Sequence, residues 1–281
     1  MEKKTVNEIE KFAIEIRIEI MKQLTEVGFG HVGGSLSISD LLAVLYDDAM
    51  KYDPKDPKWE GRDRLIVSKG HAGPAVYATL ALKGFFPMDW LATLNKGGTK
   101  LPSHCDGNKT PGIDLTTGSL GQGLSPAAGM AYSFKLDGRD NKVFAILGDG
   151  ELQEGQIWEA VMAAGKYKLS NLYAFVDDNK FQVDGATDDI MPLGDLAGSF
   201  ANFGWSVQTV DGHDVQAIQK ALDAAYAEKE KPSVMILKTI KGRGYEEFEK
   251  LGSGCHHMTV PKEVGEASIR YFESQLSGKA S

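Results

Sequence analysis

The sequence of 281 residues predicts an α/β fold, in which helices cover both faces of a mostly parallel, doubly wound sheet. From residue 143 onward, short apolar runs alternate with stretches that have helical periodicity. The apolar runs are nearly continuous rather than alternating, which is typical of strands buried on both faces. These two observations together favour a parallel sheet with helices on either side.

The individual elements follow from local patterns. Apolar residues at helical spacing predict a first helix over residues 5–27, which Gly28 ends, and a second helix that opens at Ser37 or Ser39. The predicted strands are 64–68, 143–147, 172–176, 206–210 and 234–237. The predicted helices between and after them are 156–168, 193–203, 215–228 and a short one near 263–276. We expect one domain over residues 1–281, with an irregular tail from about residue 242.

Composition narrows the class of function. A net charge of -8, without a basic stretch, argues against nucleic acid as a partner. The longest apolar runs are too short to span a bilayer, so we expect no membrane segment. The N-terminus predicts an amphipathic helix rather than a signal segment. The two cysteines form no Cys-x-x-Cys pair, and we therefore expect a cytoplasmic protein without disulfides.

Polar residues follow two successive predicted strands. Gly148-Asp149-Gly150 comes after one strand, and Asp178-Asn179 comes after the next. Because parallel strands end at one edge of a sheet, Asp149 and Asn179 are expected to be neighbours there. A carboxylate and a carboxamide suit a hard divalent cation that holds a diphosphate. Taken separately, the two segments could also be a turn and a helix N-cap.

These two segments, at this spacing, resemble the thiamine diphosphate motif. Further segments resemble transketolases more specifically, in order and over nearly the whole chain. The segments are 30–37 (GHVGGSLS), 62–72 (RDRLIVSKGHA), 116–123 (TTGSLGQG), 148–155 (GDGELQEG) and 177–181 (DDNKF). The chain therefore resembles the transketolase family, which implies an α/β diphosphate-binding domain and thiamine diphosphate as its cofactor.

The resemblance implies a role for individual residues. Asp149, Asn179 and the main-chain carbonyl of Phe181 would hold a divalent metal, Mg²⁺ or another such as Ca²⁺ or Mn²⁺. Residues implied to bind the cofactor are His71, Gly118, Ser119, Leu120, Gly148, Asp149, Gly150, Glu151, Asn179 and His256. Glycines 121 and 123 of the same loop could equally serve a helix start.

Three histidines would act on the sugar, because an imidazole can donate and accept protons at neutral pH. The resemblance implies that these catalytic residues are His31, His104 and His256, with His257 as an alternative to His256. Other polar residues receive more ordinary interpretations. Glu154 is a candidate for an interface between subunits, His213 or Asp214 for a helix cap, and Lys238 and Lys241 for solvated lysines that could also meet phosphate.

In transketolases, a second domain binds the aminopyrimidine ring and supplies a carboxylate to it. The sequence stops at Ser281, before such a domain could begin. We therefore expect the N-terminal subunit of a split transketolase, active only with a separate C-terminal subunit that carries the pyrimidine-binding domain. The expected assembly is a heterotetramer of two plus two subunits.

The expected reaction is transfer of a two-carbon ketol unit from a ketose phosphate donor to an aldose phosphate acceptor, as in the pentose phosphate pathway. Three alternatives remain open. The chain could be half of a specialised enzyme for a branched, deoxy or sulfonated sugar, a subunit similar to deoxyxylulose-phosphate synthase, or a non-catalytic binding subunit.

Overall fold

The computed structural model describes residues 4–279, and within them a parallel sheet forms the centre of the fold. Five strands pair in parallel register, in the order 64–67, 143–148, 172–178, 233–238 and 206–211 across the sheet. The strands, in chain order, are β1 Phe29–Gly30, β2 Arg64–Val67, β3 Val143–Gly148, β4 Leu172–Asp178, β5 Ser206–Asp211, β6 Ser233–Lys238 and β7 Met258–Thr259. The five predicted strands are therefore present, with ends that differ by one or two residues.

Helices cover both faces of this sheet. They are α1 Val6–Val27, α2 Val32–Leu36, α3 Ser39–Val44, α4 Gly73–Leu82, α5 Leu124–Leu136, α6 Gly155–Lys166, α7 Thr187–Ile190, α8 Leu196–Asn202, α9 Val215–Ala227, α10 Glu246–Glu249 and α11 Lys262–Lys279. Phe144 and Phe175 pack into one core with α1, α3, α4 and α9, whereas Ala145 and Ala174 pack into a second core with α5 and α6. Since side chains alternate along a strand, both faces of the sheet are buried, and the predicted fold class is confirmed.

Capping determines where the first helix begins and ends. The Thr5 hydroxyl accepts a hydrogen bond from the main-chain N–H of Glu8, and the Glu8 carboxylate accepts one from the N–H of Thr5. At the other end Gly28 has φ +85°, a conformation that favours glycine. Helix α1 thus matches the predicted helix 5–27.

Other elements differ from the predictions. The helix predicted to open at Ser37 or Ser39 is present as α3, which begins at Ser39, but the glycine-rich turn before it contains the additional short helix α2, and α5 was not assigned from the sequence. The C-terminal helix α11 extends over 18 residues. Of the helices in residues 4–279, none is both long and apolar enough to cross a membrane.

A short antiparallel pair outside the main sheet has consequences for the site. Strands β1 and β7 pair with Phe29 opposite Thr259 and Gly30 opposite Met258. The segment that follows β1 and the segment that precedes β7 are thereby brought together at the carboxyl edge of the sheet. Two-residue strands are too short to leave a periodic signal, so the sequence did not predict this pair.

Candidate active site

The carboxyl ends of β3 and β4 bring Asp149 and Asn179 to the same edge of the sheet. Gly148 lies opposite Asp177 in the parallel register, and both Asp149 and Asn179 are buried. The Asp149 carboxylate spans the gap between the strands, because its Oδ2 accepts a hydrogen bond of 2.6 Å from the main-chain N–H of Lys180. The two side chains therefore lie together, as the strand order led us to expect.

The turn after β4 places a main-chain carbonyl oxygen against a buried lysine. Asn179 Oδ1 accepts a hydrogen bond of 3.1 Å from the main-chain N–H of Phe181. The carbonyl oxygen of Phe181 accepts one of 2.8 Å from Lys241 Nζ, and Lys241 is only 3% exposed. The interpretation of Lys241 as a solvated lysine is therefore wrong. The loop after β6 folds back over the sheet edge, where the N–H of Gly242 donates to the carbonyl of Gly33 at 3.1 Å.

A second buried ammonium, Lys69, was missed in the sequence. It follows β2, and its Nζ donates to Asp177 Oδ2 at 2.6 Å and to the carbonyl of Gly34 at 2.7 Å. Burial acts to raise the pKa of Asp177, but the charge of Lys69 and its hydrogen bond hold that pKa below its ordinary value. The position of Lys69 at the end of a predicted strand, on the same edge as Asp149, is the signal that could have identified it.

Five histidines converge beside this edge. The His31 ring lies 5.2 Å from His71, 5.4 Å from His104, 5.5 Å from His256 and 4.7 Å from His257, measured between ring centroids. His71 and His256 lie 4.9 Å apart. The first four are partly buried and His257 is exposed. The structure thus joins all four histidines predicted for the site with the alternative one, His257.

Strand pairing and small residues explain how these histidines meet. His31 follows β1 and His256 precedes β7, so the antiparallel pair draws their segments together. A Cβ atom at Gly33 would lie 2.6 Å from Cys255 Sγ and 2.7 Å from Lys241 Cγ. Only glycine therefore allows the turn after His31 to approach the other side of the site this closely.

Comparison with known proteins places this arrangement in a family. The family model described as "Transketolase, thiamine diphosphate binding domain" matches residues 9–266. The chain belongs to this transketolase family. A transketolase from Campylobacter jejuni has a similar solved structure, with a TM-score of 0.87 and 31% identity. That similarity covers 96% of this chain and 43% of the Campylobacter chain, so this chain spans less than half of that transketolase.

Two curated transketolase relatives are similar over almost their whole length. The "6-deoxy-6-sulfo-D-fructose transketolase subunit SqwG" of Clostridium sp. (strain MSTE9) is 51% identical over 261 residues, which cover 92% of this chain and 94% of the relative. One of the subunits of an apulose-4-phosphate transketolase, from Phocaeicola vulgatus, is 38% identical over 268 residues, which cover 92% of this chain and 95% of that relative.

The residues present at the edge fit the cofactor and the metal of a transketolase. Burial, and then repulsion by Asp177, raise the pKa of Asp149 to about 6, so a bound cation would relieve the cost of the ionised carboxylate. The carbonyl of Phe181 already accepts from a cationic group, the Lys241 ammonium. Carboxylate, carboxamide and carbonyl oxygens are the donors that hard divalent cations prefer. Lys69 and Lys241 add two buried positive charges beside them.

The environment of the transketolase histidines favours neutral rings. Burial lowers the pKa of His31 to about 4, with further lowering by His257 and His104, and burial together with Lys241 lowers that of His256 to about 3. Burial also lowers the pKa values of His71 and His104. A neutral imidazole has one N–H donor and one acceptor nitrogen, so these rings suit hydrogen bonding to sugar oxygens.

The glycine loop before α5 lies against His104. Gly118 has φ +150°, and a Cβ atom there would lie 3.2 Å from the His104 ring. Its neighbours Ser119 and Leu120 are exposed and half-buried, respectively. Glu151 holds this loop in place, because its carboxylate accepts from the N–H of Gly121 at 2.9 Å and of Gly148 at 3.0 Å, and from Ser68 Oγ. The Glu151 side chain is therefore occupied in holding the loop. A direct contact between Glu151 and the cofactor would have to come from its main chain.

The other polar residues singled out in the sequence differ in their contacts and exposure. Lys238 ion-pairs with Asp178 and is half-exposed, so it lies outside the lysine pair described above. Asp214, not His213, caps α9 by accepting from the N–H of Ala217 at 3.0 Å. Glu154 is exposed, as an interface residue would be in the isolated chain.

Proposed function

We propose that this chain is the diphosphate- and metal-binding subunit of a two-subunit transketolase, acting as a single domain. The observation that carries the proposal is the convergence of the five histidines on the edge formed by Asp149 and Asn179. When bound, thiamine diphosphate supplies the electron sink for breaking the carbon–carbon bond of a ketose. This chain supplies the groups that bind and orient the cofactor and the sugar.

The metal and the diphosphate would be held at the carboxyl edge of the sheet. Asp149, Asn179 and the carbonyl of Phe181 would bind the divalent cation, Mg²⁺ in the first instance. Lys69 and Lys241 would neutralise negative charge on the diphosphate. Gly148 and Gly150 would lie beside it, although their main-chain N–H groups donate to Glu151 at 3.0 Å and to Asp149 at 2.8 Å. His71, Gly118, Ser119 and Leu120 would contact the cofactor from the side of the histidines.

The proton positions on His256 follow from its partner. Lys241 Nζ lies 3.1 Å from His256 Nδ1, and an ammonium only donates hydrogen bonds. Nδ1 is therefore the acceptor, and the neutral ring carries its proton on Nε2. We propose that this Nε2–H donates to the oxygen of the sugar carbonyl, while His31 and His104 hydrogen-bond the neighbouring hydroxyls.

The sugars in the names of the relatives support a specialised donor sugar rather than a common pentose phosphate. One relative, at 51% identity, is named for 6-deoxy-6-sulfo-D-fructose, and another, at 38%, for apulose 4-phosphate. We propose that this chain serves transfer of a two-carbon ketol unit from a ketose with an anionic group at its far end, with a sulfonated ketose as the first candidate. The weaker alternative is that the chain is a subunit of an enzyme similar to deoxyxylulose-phosphate synthase.

Both relatives are named as subunits, which supports a separate partner for this chain. The partner would carry the pyrimidine-binding domain, in a heterotetramer of two plus two subunits. The exposed face of α5 and α6 supports such an assembly, since Tyr132, Met162 and Tyr167 are exposed on these helices or at their ends. Cys105 and Cys255 are buried free thiols, in keeping with the proposed reducing cytoplasm.

The test is reconstitution. The chain is purified alone and together with the candidate partner subunit, the protein encoded by the gene next to its own. Each sample receives thiamine diphosphate and Mg²⁺. Ketol transfer is then measured with 6-deoxy-6-sulfofructose, apulose 4-phosphate, fructose 6-phosphate and xylulose 5-phosphate. We expect activity in the mixture only, with the highest kcat/KM on a specialised sugar. Equal activity of the chain alone would contradict the two-subunit proposal, and a preference for xylulose 5-phosphate would contradict the specialised donor.

A further inference from the structure

The loop that carries Lys241 is also held by a histidine from another part of the chain, His213, which lies between β5 and α9. The main-chain N–H of Ile240 donates a hydrogen bond of 2.8 Å to Nε2 of His213, the residue just before the cap of α9. Ile240 itself is 41% exposed, so burial of its side chain does little to anchor the loop. The next residue, Lys241, is buried and points into the site.

The direction of these hydrogen bonds assigns the proton on His213. Because Nε2 accepts from Ile240, the proton of the neutral ring is on Nδ1, where it donates to Asp40 Oδ2 at 2.8 Å. Asp40 Oδ2 also accepts from Arg17 Nη2 at 2.5 Å. The side chains of all three residues are at most 9% exposed. Burial acts to raise the pKa of Asp40, but the charge of Arg17 and the bond to His213 hold it below its ordinary value.

These contacts form a continuous path from Arg17 through Asp40 and His213 to the loop. The loop has a second anchor, where the N–H of Gly242 donates to the carbonyl of Gly33. The two hydrogen bonds therefore flank Lys241, one on each side along the chain. With both ends of this short segment held, the Lys241 ammonium is directed toward the carbonyl of Phe181 and Nδ1 of His256.

We propose that His213 is a positioning residue for Lys241, and that Asp40 enables this by keeping the proton of His213 on Nδ1. This inference rests on the proposed function, in which Lys241 faces the cofactor diphosphate. His213 touches neither the cofactor nor the sugar. It acts through the main chain of Ile240, in the way that a buried carboxylate and an oriented imidazole commonly fix one another.

The experiment is a double-mutant cycle on cofactor binding. His213→Phe keeps an aromatic ring but removes the acceptor nitrogen Nε2, and Lys241→Met removes the ammonium. Affinity for thiamine diphosphate with Mg²⁺ is measured by calorimetry on the assembled two-subunit protein, with Tm recorded for every variant. We expect His213→Phe to weaken binding about tenfold, the size of one lost hydrogen bond. In the Lys241→Met background the same change should cost less than about twofold, because coupled residues are not additive.

A control variant separates positioning from general packing of α9. Gln219 also lies on α9, and its Nε2 donates to Asp48 Oδ2 at 2.8 Å, but it does not touch the loop. Gln219→Ala should lower Tm slightly and leave cofactor affinity unchanged. His213→Gln, which retains an acceptor oxygen, should restore part of the lost affinity.

Asp40→Asn is a second route to the same test if His213→Phe folds poorly. The amide can donate to Nδ1, which places the ring proton on Nε2 opposite the N–H of Ile240, and we again expect weaker cofactor binding. Full additivity of His213→Phe and Lys241→Met would overturn the inference, as would a fall in Tm with unchanged affinity. If Lys241→Met alone leaves affinity unchanged, the role of Lys241 in the proposed function fails instead, and the positioning role fails with it.

Discussion

The ammonium of Lys69 lies 2.6 Å from the Oδ2 atom of Asp177, and neither side chain is more than 1% exposed. Asp177 also accepts from Ser37 Oγ at 2.7 Å and from Asn179 Nδ2 at 2.8 Å. A buried carboxylate with several donors thus balances one of the two positive charges at the site, while it orients the amide of Asn179.

Removal of one member of this pair should destabilise the protein. We expect Asp177→Asn to cost about 3–5 kcal/mol of the free energy of unfolding, because it leaves the buried Lys69 ammonium without its counter-charge. Urea denaturation of the cofactor-free protein measures this. The matched control is the exposed pair of Lys96 and Glu26, where Lys96→Met should change the free energy by less than about 1 kcal/mol. Similar losses in both variants would contradict the structural role of the buried pair.

Asp149→Asn should separate stability from metal binding. The raised pKa of Asp149, about 6, means that its ionised form is disfavoured by folding, so at neutral pH the carboxylate destabilises the metal-free protein. We expect the free energy of unfolding without metal to change by less than about 2 kcal/mol, because relief of the buried charge is offset by the loss of an acceptor for the N–H of Gly150 or Lys180. Calorimetry with thiamine diphosphate and Mg²⁺ should show binding lost. A less stable variant that still binds the metal normally would rule out this account of Asp149.

Stability should fall in mild acid because of the buried histidines. The pKa of His31 is lowered to about 4, so below its unfolded value of about 6.5 the unfolded chain binds a proton that the folded chain does not. The free energy of unfolding should therefore decrease as the pH falls from about 6.5 to about 4. His31→Gln should show a smaller loss between those values in urea titrations, whereas an unchanged pH dependence would argue against the burial of His31.

Turnover should distinguish His256 from its neighbour. We expect His256→Ala to lower kcat by about 10²–10⁴-fold with little change in cofactor affinity, since His256 is the ring that contacts Lys241 and carries its proton on Nε2. His257 is exposed, and His257→Ala should have the smaller effect. Steady-state kinetics of the two-subunit protein provide the comparison. Equal and mild effects would mean that neither imidazole handles the proton.

The contact between Gly118 and His104 should be sensitive to one added methyl group. Gly118→Ala would bring a Cβ atom to 3.2 Å from the His104 ring, at a backbone conformation that already disfavours alanine. We expect the donor KM to rise about tenfold, as for a displaced hydrogen-bonding group. Gly138→Ala is the control, because Gly138 has φ +66° but open space around its Cα. It should lower Tm without affecting KM.

The sequence predicted most of the sheet because four of its five strands are nearly continuous apolar runs, which indicate burial on both faces; the exception is β5 (SVQTVD) at the edge. Asp149 and Asn179 could be located for the same reason, since they follow strands whose ends were already placed. Lys69 also follows a predicted strand, which places it at the same edge, but that position does not reveal its burial. Nothing in its local sequence distinguishes a buried lysine from a solvated one until its partner, Asp177, is known to lie on a neighbouring strand.

The resemblance to transketolases suggested which histidines would be important, but not how they come together. That information lies in the pairing of β1 with β7, two residues each, and in the glycines at 33 and 118 that allow close approach. Long-range pairing of such short segments depends on the whole fold rather than on local propensity. Lys241 was assigned to solvent for a related reason, because its burial depends on a loop anchored by His213 and Gly33.

The pairing of Phe29 with Thr259 also bears on synthesis of the protein. During translation, Phe29 leaves the ribosome early and Thr259 only near the end. His31 and His256 can therefore come together only after almost the whole chain has been synthesised. Closing so long a loop is entropically costly and happens late in folding. The cofactor-binding edge is therefore complete only after the last strand has emerged, and nascent or truncated chains lack it.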